Sequence, residues 1–155
     1  MKPVTFKICA AIYSDIIRIA ELEKLCFSEP WSHESLMSCF KNPEYIFFTA
    51  KESGGNIIGY SSMRYVLDEA EICNVAVDIE ERRKGVASAL MKEILKTAEE
   101  LKLKSIFLEV RESNLAAINL YERLEFKKSG IRKNFYEKPR EDAIIMAKHI
   151  EGKAE

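Results

Sequence analysis

Seven apolar residues, Ala87, Leu90, Met91, Ile94, Leu95, Ala98 and Leu101, recur at steps of three and four, which makes them one face of an amphipathic helix over residues 85–103. Strand-like runs flank it at residues 70–77 and 105–110. A strand, a helix and a second strand in that order form a βαβ unit, whose two strands run parallel.

The other segments read as short helices and antiparallel strands. A strand is expected over residues 4–9, followed by a helix capped by Ser14 in which Ile16, Ile19, Ala20 and Glu23 to Cys26 keep helical spacing. Ser32 caps a second helix, with Trp31 before it and Leu36 inside it forming a hydrophobic staple. Residues 45–51 and 56–65 are strands joined by Ser53-Gly54-Gly55-Asn56, which is turn chemistry for a hairpin. After the βαβ unit come a helix over residues 115–124 and strands over 126–132 and 143–149. The sum is an α/β (α+β) chain with a mixed, mostly antiparallel sheet.

With 155 residues, 47% of them hydrophobic, the chain is long enough to bury one core without help from disulfides or metal. A single domain over residues 1–150 with a polar tail at 151–155 is expected. Lys and Arg number 24 against 25 Asp and Glu, and this near balance excludes the strong basic field of a general nucleic-acid binder. No apolar run approaches the ~20 residues that span a bilayer, and the amino terminus lacks the order of a secretory signal, so a cytoplasmic protein is expected. Cys9, Cys26, Cys39 and Cys73 lack metal-ligand spacing and read as reduced core residues, while His33 and His149 have no nucleophile context, so neither a metal site nor a hydrolase triad is expected.

Chemistry concentrates before the long helix. Arg82, Arg83, Lys84 and Gly85, followed by Val86, Ala87 and Ser88, set three cations and a glycine at a helix start. Unpaired N–H groups and the positive end of the helix dipole favour an anion there, and a pyrophosphate is the natural ligand. The bland alternative is a solvated basic turn balanced by Glu80 and Glu81. Neither a Walker loop nor a Rossmann fingerprint is present.

The segment Arg82-Arg83-Lys84-Gly85-Val86-Ala87 resembles the [Gln/Arg]-x-x-Gly-x-[Gly/Ala] signature of the GCN5-related N-acetyltransferases, the GNAT superfamily. Asn74-Val75-Ala76-Val77 precedes it. Leu108-Glu109-Val110-Arg111-Glu112-Ser113-Asn114 follows, with Leu120-Tyr121 and Phe126, and the blocks together are similar to the RimI branch, the ribosomal-protein-alanine N-acetyltransferases. The resemblance extends from Phe27-Ser28-Glu29-Pro30-Trp31-Ser32 to Arg140-Glu141-Asp142-Ala143-Ile144-Ile145-Met146.

This resemblance implies a single GNAT domain whose central parallel strands splay apart, with acetyl-CoA entering between them as cosubstrate and no metal. It implies backbone contacts from Val75, Ala76 and Val77 to pantetheine and the acetyl carbonyl, pyrophosphate binding by the amides from Arg83 to Ser88, and a cofactor contact from Asn114. By the same resemblance Glu109 is the general base and Tyr121 the acid that protonates departing CoA, while Trp31, Tyr136 and Asp142 line the peptide site. A peptide α-amine with a pKa near 7.7–8 suits a modestly raised carboxylate base, whereas a lysine near 10.4 is harder by roughly 3.4 kcal/mol. No cysteine in these blocks suggests an acyl-enzyme, so direct attack is expected.

The expected partner is a protein amino terminus, the N-terminal alanine of a small-subunit ribosomal protein above all, with no nucleic acid or membrane partner and a monomeric or weakly dimeric enzyme. Other acceptors, or a CoA-binding module without turnover, are the alternatives. Structural roles also compete: Glu109 as a carboxylate paired with Arg111 or a lysine, Tyr121 as a core aromatic. Six acidic and no basic residues between Asp68 and Glu81 would attract a cationic amine or simply face solvent. One position departs from the family pattern. Glu125 stands where glycine is common, and a left-handed conformation there costs on the order of 1 kcal/mol.

Overall fold

The helical stripe and its flanking strands form as their periodicities require. In the computed structural model, which describes residues 5–150, the stripe becomes α3 (Val86–Glu100) between β4 (Glu69–Val77) and β5 (Ser105–Arg111). β4 and β5 pair in parallel over Glu69↔Ser105 to Ile72↔Leu108, and both strands continue beyond that ladder. The remaining strands are β1 (Phe6–Ala10), β2 (Tyr45–Glu52), β3 (Ile57–Val66), β6 (Lys127–Glu137) and β7 (Arg140–His149). The sheet runs in the order β1-β2-β3-β4-β5-β7-β6. β1/β2, β2/β3, β5/β7 and β6/β7 are antiparallel, so the sheet is mixed as the sequence predicts.

The contacts group the chain into two compact units. One takes residues up to Arg64 together with Cys73–Thr97; the other takes Tyr65–Ile72 and the chain from Ala98 onward.

In the first unit, α1 (Ile16–Cys26) and α2 (His33–Lys41) bury Ile16, Ile19, Leu22 and Leu36 in one cluster with Phe47, Ile57, Tyr60 and Ala76 of the strands. Full burial of each large aliphatic side chain contributes roughly 1.5–3 kcal/mol. α3 adds Val86, Leu90, Met91 and Ile94 to the buried set; the spacing named the last three, missed Val86, and included Leu101, which is exposed. It approaches β3 where Gly59 leaves room: a Cβ there would lie 3.0 Å from the Ala76 carbonyl oxygen and 3.1 Å from Val86 Cγ1.

In the second unit, Ile106, Leu108 and Val110 alternate inward along β5, with Phe126, Ala143 and Met146 also buried. The same alternation sets Phe107, Glu109 and Arg111 on the opposite, half-buried face. α4 (Leu115–Arg123) follows β5.

Several local expectations are corrected. Ser14 does not cap α1. It lies inside a 3-10 turn, Tyr13–Asp15, so the N-cap position of α1 falls on Asp15, which makes no side-chain cap bond; its Oδ2 accepts instead from the Ile12 N–H at 2.9 Å. The first strand is shifted to Phe6–Ala10, and its expected start at Val4, like the tail at 151–155, lies outside the described residues. β6 extends five residues past the expected end at 132, because its pairing with β7 resumes at Tyr136↔Glu141 after an irregular stretch. The four cysteines are free, as expected, but half-buried where full burial was expected, with Cys26 and Cys39 packed against the core cluster.

Candidate active site

In the first unit, the chain leaves β4 through a tightly determined turn. The Asp78 N–H donates to the Ile58 carbonyl at 2.8 Å, and Asp78 Oδ1 accepts from the Glu80 N–H at 3.1 Å, capping the 3-10 turn Ile79–Glu81. Arg82 turns back, its Nε donating to the Val77 carbonyl at 3.3 Å, and Lys84 pairs with Glu81 at 2.9 Å. Arg83 and Gly85 both adopt left-handed backbone, with φ of 65° and 82°. For Arg83 that conformation costs about 1–2 kcal/mol, the kind of strain that gathers at functional sites.

Gly85 opens α3, and a Cβ built on it meets nothing within 4 Å. Its glycine is therefore required by φ and leaves the surface beside the helix start clear. Arg82, Arg83, Lys84 and Gly85 are exposed, Val86 is buried, and Ala87 and Ser88 are half-buried. Exposed cations beside the N-terminus of a helix of 15 residues suit a pyrophosphate, so the residues present fit acetyl-CoA. Of the two acids expected to balance the turn, Glu81 does so in its ion pair with Lys84.

Trp31 also belongs to this unit. The staple forms as expected: Ser32 Oγ accepts from the Ser35 N–H at 3.0 Å, and Trp31 packs against the cluster that contains Leu36. A surface depression beside it is lined by Pro30, Trp31, Ser32, Ser35 and Cys39.

In the second unit, Glu109 sits mid-strand opposite Ile145 of β7. Its carboxylate pairs with Arg132 of β6 at 2.9 Å, a partner that the sequence reading did not name. Burial raises its pKa above the ordinary carboxylate value, the charge of Arg132 opposes that, and Glu71 adds to it. Tyr136 is pushed up to about 12, by burial first and then by the charge of Glu109, with Arg111 opposing. Tyr121 is also pushed up to about 12, by burial and then by Tyr136. Tyr136 is thus within electrostatic reach of both Glu109 and Tyr121.

Two devices fix these tyrosines. Arg111 lies over the Tyr136 ring with 4.2 Å between guanidinium carbon and ring centroid. The same guanidinium donates to the Lys138 and Pro139 carbonyls at 3.1 and 3.0 Å and to Glu141 at 3.2 Å, while Glu141 also accepts from the Ser113 N–H. Tyr121 is held by the end of α4. The Phe126 N–H donates to the Tyr121 carbonyl at 2.9 Å, the Glu125 N–H donates to Glu122 at 2.9 Å, and the Phe126 and Tyr121 rings lie 6.0 Å apart. This is a Schellman ending with its hydrophobic contact. Glu125 adopts the left-handed conformation that the motif demands, φ 69°, so the departure from glycine is accommodated with the backbone geometry intact.

Asn114 is the N-cap of α4, its Oδ1 accepting from the Ala117 N–H at 3.2 Å. Asp142 Oδ1 accepts from the Asn134 N–H at 2.8 Å, closing the irregular stretch of β6 where Asn134 has φ 54°. Among the described residues no group of three or more His, Cys, Asp or Glu is arranged to hold a metal, and no helix is long and apolar enough to cross a membrane.

Sequence reasoning missed the most buried acid among the described residues. Glu23 of α1 is 1% exposed; its Oε1 accepts from Asn74 Nδ2 at 2.6 Å and from the Tyr60 hydroxyl at 2.7 Å. The signal was present, since a charged residue in register with Ile16, Ile19 and Ala20 must go inward.

The acetyltransferase (GNAT) family model matches residues 16–126, a span that contains α1, the β4–α3 turn, Glu109 and Tyr121. The chain belongs to the GNAT family. Among its GNAT relatives, the [ribosomal protein bS18]-alanine N-acetyltransferase of Escherichia coli K12 is 36% identical over 86% of this chain and 90% of its own length. The corresponding enzyme of Haemophilus ducreyi is 32% identical over 90% and 97%. The crystal structure of the ribosomal-protein-S18-alanine N-acetyltransferase from Escherichia coli superposes with a TM-score of 0.89 at 34% identity, covering 97% of each chain. Ard1 from Thermoplasma volcanium, at 26% identity, gives 0.87 over 96% of this chain and 99% of its own.

Proposed function

We propose that this GNAT chain transfers the acetyl group of acetyl-CoA to the N-terminal amine of a protein, with the N-terminal alanine of ribosomal protein bS18 as its acceptor. The observation that carries the reading is the similarity to the E. coli bS18-alanine enzyme, which continues through nearly all of both chains. Such an enzyme works in the cytoplasm, as a monomer or weak dimer, on residues 1–150.

Acetyl-CoA supplies an acetyl group activated as a thioester. The amides from Arg83 to Ser88, with the exposed side chains of Arg82, Arg83 and Lys84, receive its pyrophosphate, and backbone groups of Val75, Ala76 and Val77 receive the pantetheine arm and the acetyl carbonyl. Asn114 adds a cofactor contact. Trp31, Tyr136 and Asp142 line the acceptor peptide.

Glu109 takes a proton from the α-ammonium, directly or through water. The neutral nitrogen attacks the thioester carbon and the C–N bond forms; as the C–S bond breaks, Tyr121 gives its proton to the departing thiolate, and the second proton lost by the nitrogen as it becomes an amide restores the tyrosine hydroxyl. The raised pKa of Glu109 supports a base role, because a proton acceptor is more effective the nearer its pKa lies to the working pH. Tyr121, protonated throughout the neutral range, is available as an acid.

The test uses acetyl-CoA and peptides that begin with Ala, Ser or Met and contain an internal Lys, with the acetyl group located by fragmentation mass spectrometry. Label on the α-amine of the Ala peptide is expected, and its loss in Glu109→Gln supports the base. Label confined to Lys, or CoA binding without turnover, would overturn the reading.

A further inference from the structure

Helix α1 reaches β4 with polar side chains at three successive places. Glu23 accepts from Asn74 Nδ2 at 2.6 Å. Cys26, one turn later, donates its thiol hydrogen to the Val77 carbonyl at 3.4 Å. Arg18, on an earlier turn, donates to Asp78 Oδ2 at 2.8 Å and to the Ile57 carbonyl at 3.1 Å. The grips fall on residues 74, 77 and 78, so they bracket Val75–Ala76–Val77.

Glu23 is an unusual residue to place there. Its Oε2 is buried without a hydrogen-bond partner, and an apolar side chain of the same size would avoid that desolvation. Buried polar groups that break a local packing rule mark positions where the fold is held for a purpose. Here the carboxyl joins α1, β3 through Tyr60 and β4 through Asn74 at one oxygen, which fixes the rotation of β4 just before the three residues whose backbone matters.

We propose that α1 is a positioning element of the acetyl-CoA site: Glu23 through Asn74, and Cys26 through Val77, hold the backbone of residues 75–77 in the orientation that receives the pantetheine arm. The inference rests on the acetyltransferase reading above. It assigns Glu23 no contact with cofactor or substrate.

The experiment measures CoA affinity by calorimetry and steady-state acetyl transfer for the full chain and for Glu23→Gln, Glu23→Leu, Asn74→Ala and Cys26→Ala. Glu23→Gln keeps an acceptor oxygen for Asn74 and Tyr60 and stays within about threefold of the parent in KM for acetyl-CoA. Glu23→Leu and Asn74→Ala raise both the CoA Kd and that KM by about tenfold, with the peptide KM changed less than about twofold. A folded Glu23→Leu with unchanged affinity for CoA, or a peptide KM that moves as far as the cofactor KM, overturns the proposal. Should Glu23→Leu fail to fold, Asn74→Ala and Cys26→Ala, which leave the carboxyl in place, decide it by the same criteria. A parent chain that binds no CoA and transfers no acetyl group overturns the acetyltransferase reading and the brace with it; a parent that binds CoA as its variants do overturns the brace alone.

Discussion

Arg132 Nε lies 2.9 Å from Glu109 Oε1, so the carboxylate proposed as base is partnered by a guanidinium that is itself about half exposed. The positive charge favours the ionised form and works against the burial that raises the Glu109 pKa. Removing it in Arg132→Gln leaves burial and Glu71 acting together, and the pKa rises further. The acid limb of the kcat/KM profile is expected to move to higher pH; a limb that stays in place would mean that Glu109 is not the group it reports.

Tyr121, at about 12, holds its proton across the neutral range. Tyr121→Phe keeps the ring against Phe126 and loses only the hydroxyl, so turnover is expected to fall by ~10²-fold or more while the melting temperature changes little. Stopped assays with free thiol detection measure it, and a variant with parental turnover would exclude the tyrosine as acid.

Glu125 carries the left-handed turn that ends α4, and its ion pair with Lys148 at 3.0 Å does little to offset this because the Glu125 side chain is 82% exposed. Glu125→Gly is expected to stabilise the chain by about 1 kcal/mol, seen as a higher urea midpoint with an unchanged slope. Destabilisation would show that the Lys148 pair outweighs the backbone cost.

The shapes that sequence makes legible here are periodic ones. The α3 stripe follows from spacing alone, and the turn at residues 82–88 follows from charge and glycine at a helix start; β5, expected as a buried strand, buries only alternate residues. What escaped was long-range pairing. Nothing local says that Glu109 meets Arg132, 23 positions along the chain, or that Glu23 meets Asn74 across 51 positions. Ser14 failed as a cap because it is taken up in the 3-10 turn Tyr13–Asp15, which moves the N-cap position of α1 to Asp15.

Glu23 has its pKa raised by burial, with the Tyr60 and Asn74 hydrogen bonds opposing. Between the unfolded value, near 4.5, and the raised folded value, the native state holds more protons than the unfolded one. This contribution to stability is therefore fully present below about 4.5 and is lost as pH rises through the folded pKa. Glu23→Gln has no such loss, so its stability relative to the parent is expected to increase from pH 4 to pH 8 in paired urea titrations. Parallel curves would mean that folding leaves the proton affinity of Glu23 unaltered.

Gly59→Ala brings a methyl group to 3.0 Å from the Ala76 carbonyl and 3.3 Å from Leu90 Cδ1. The carbonyl is backbone and yields little, so a destabilisation of about 1–3 kcal/mol is expected in the same titrations. No change would show that α3 can retreat from β3.

Asn114 caps α4 with the oxygen end of its amide. An amide has two ends of opposite character, and the cap leaves the NH2 end as the one that a ligand can use. On the cofactor role proposed above, that NH2 end would meet an acceptor, a carbonyl or phosphate oxygen. Aspartate in its place would keep the helix start and present an anion to that acceptor, which makes the two duties of a single side chain separable by the exchange of one NH2 for one oxygen.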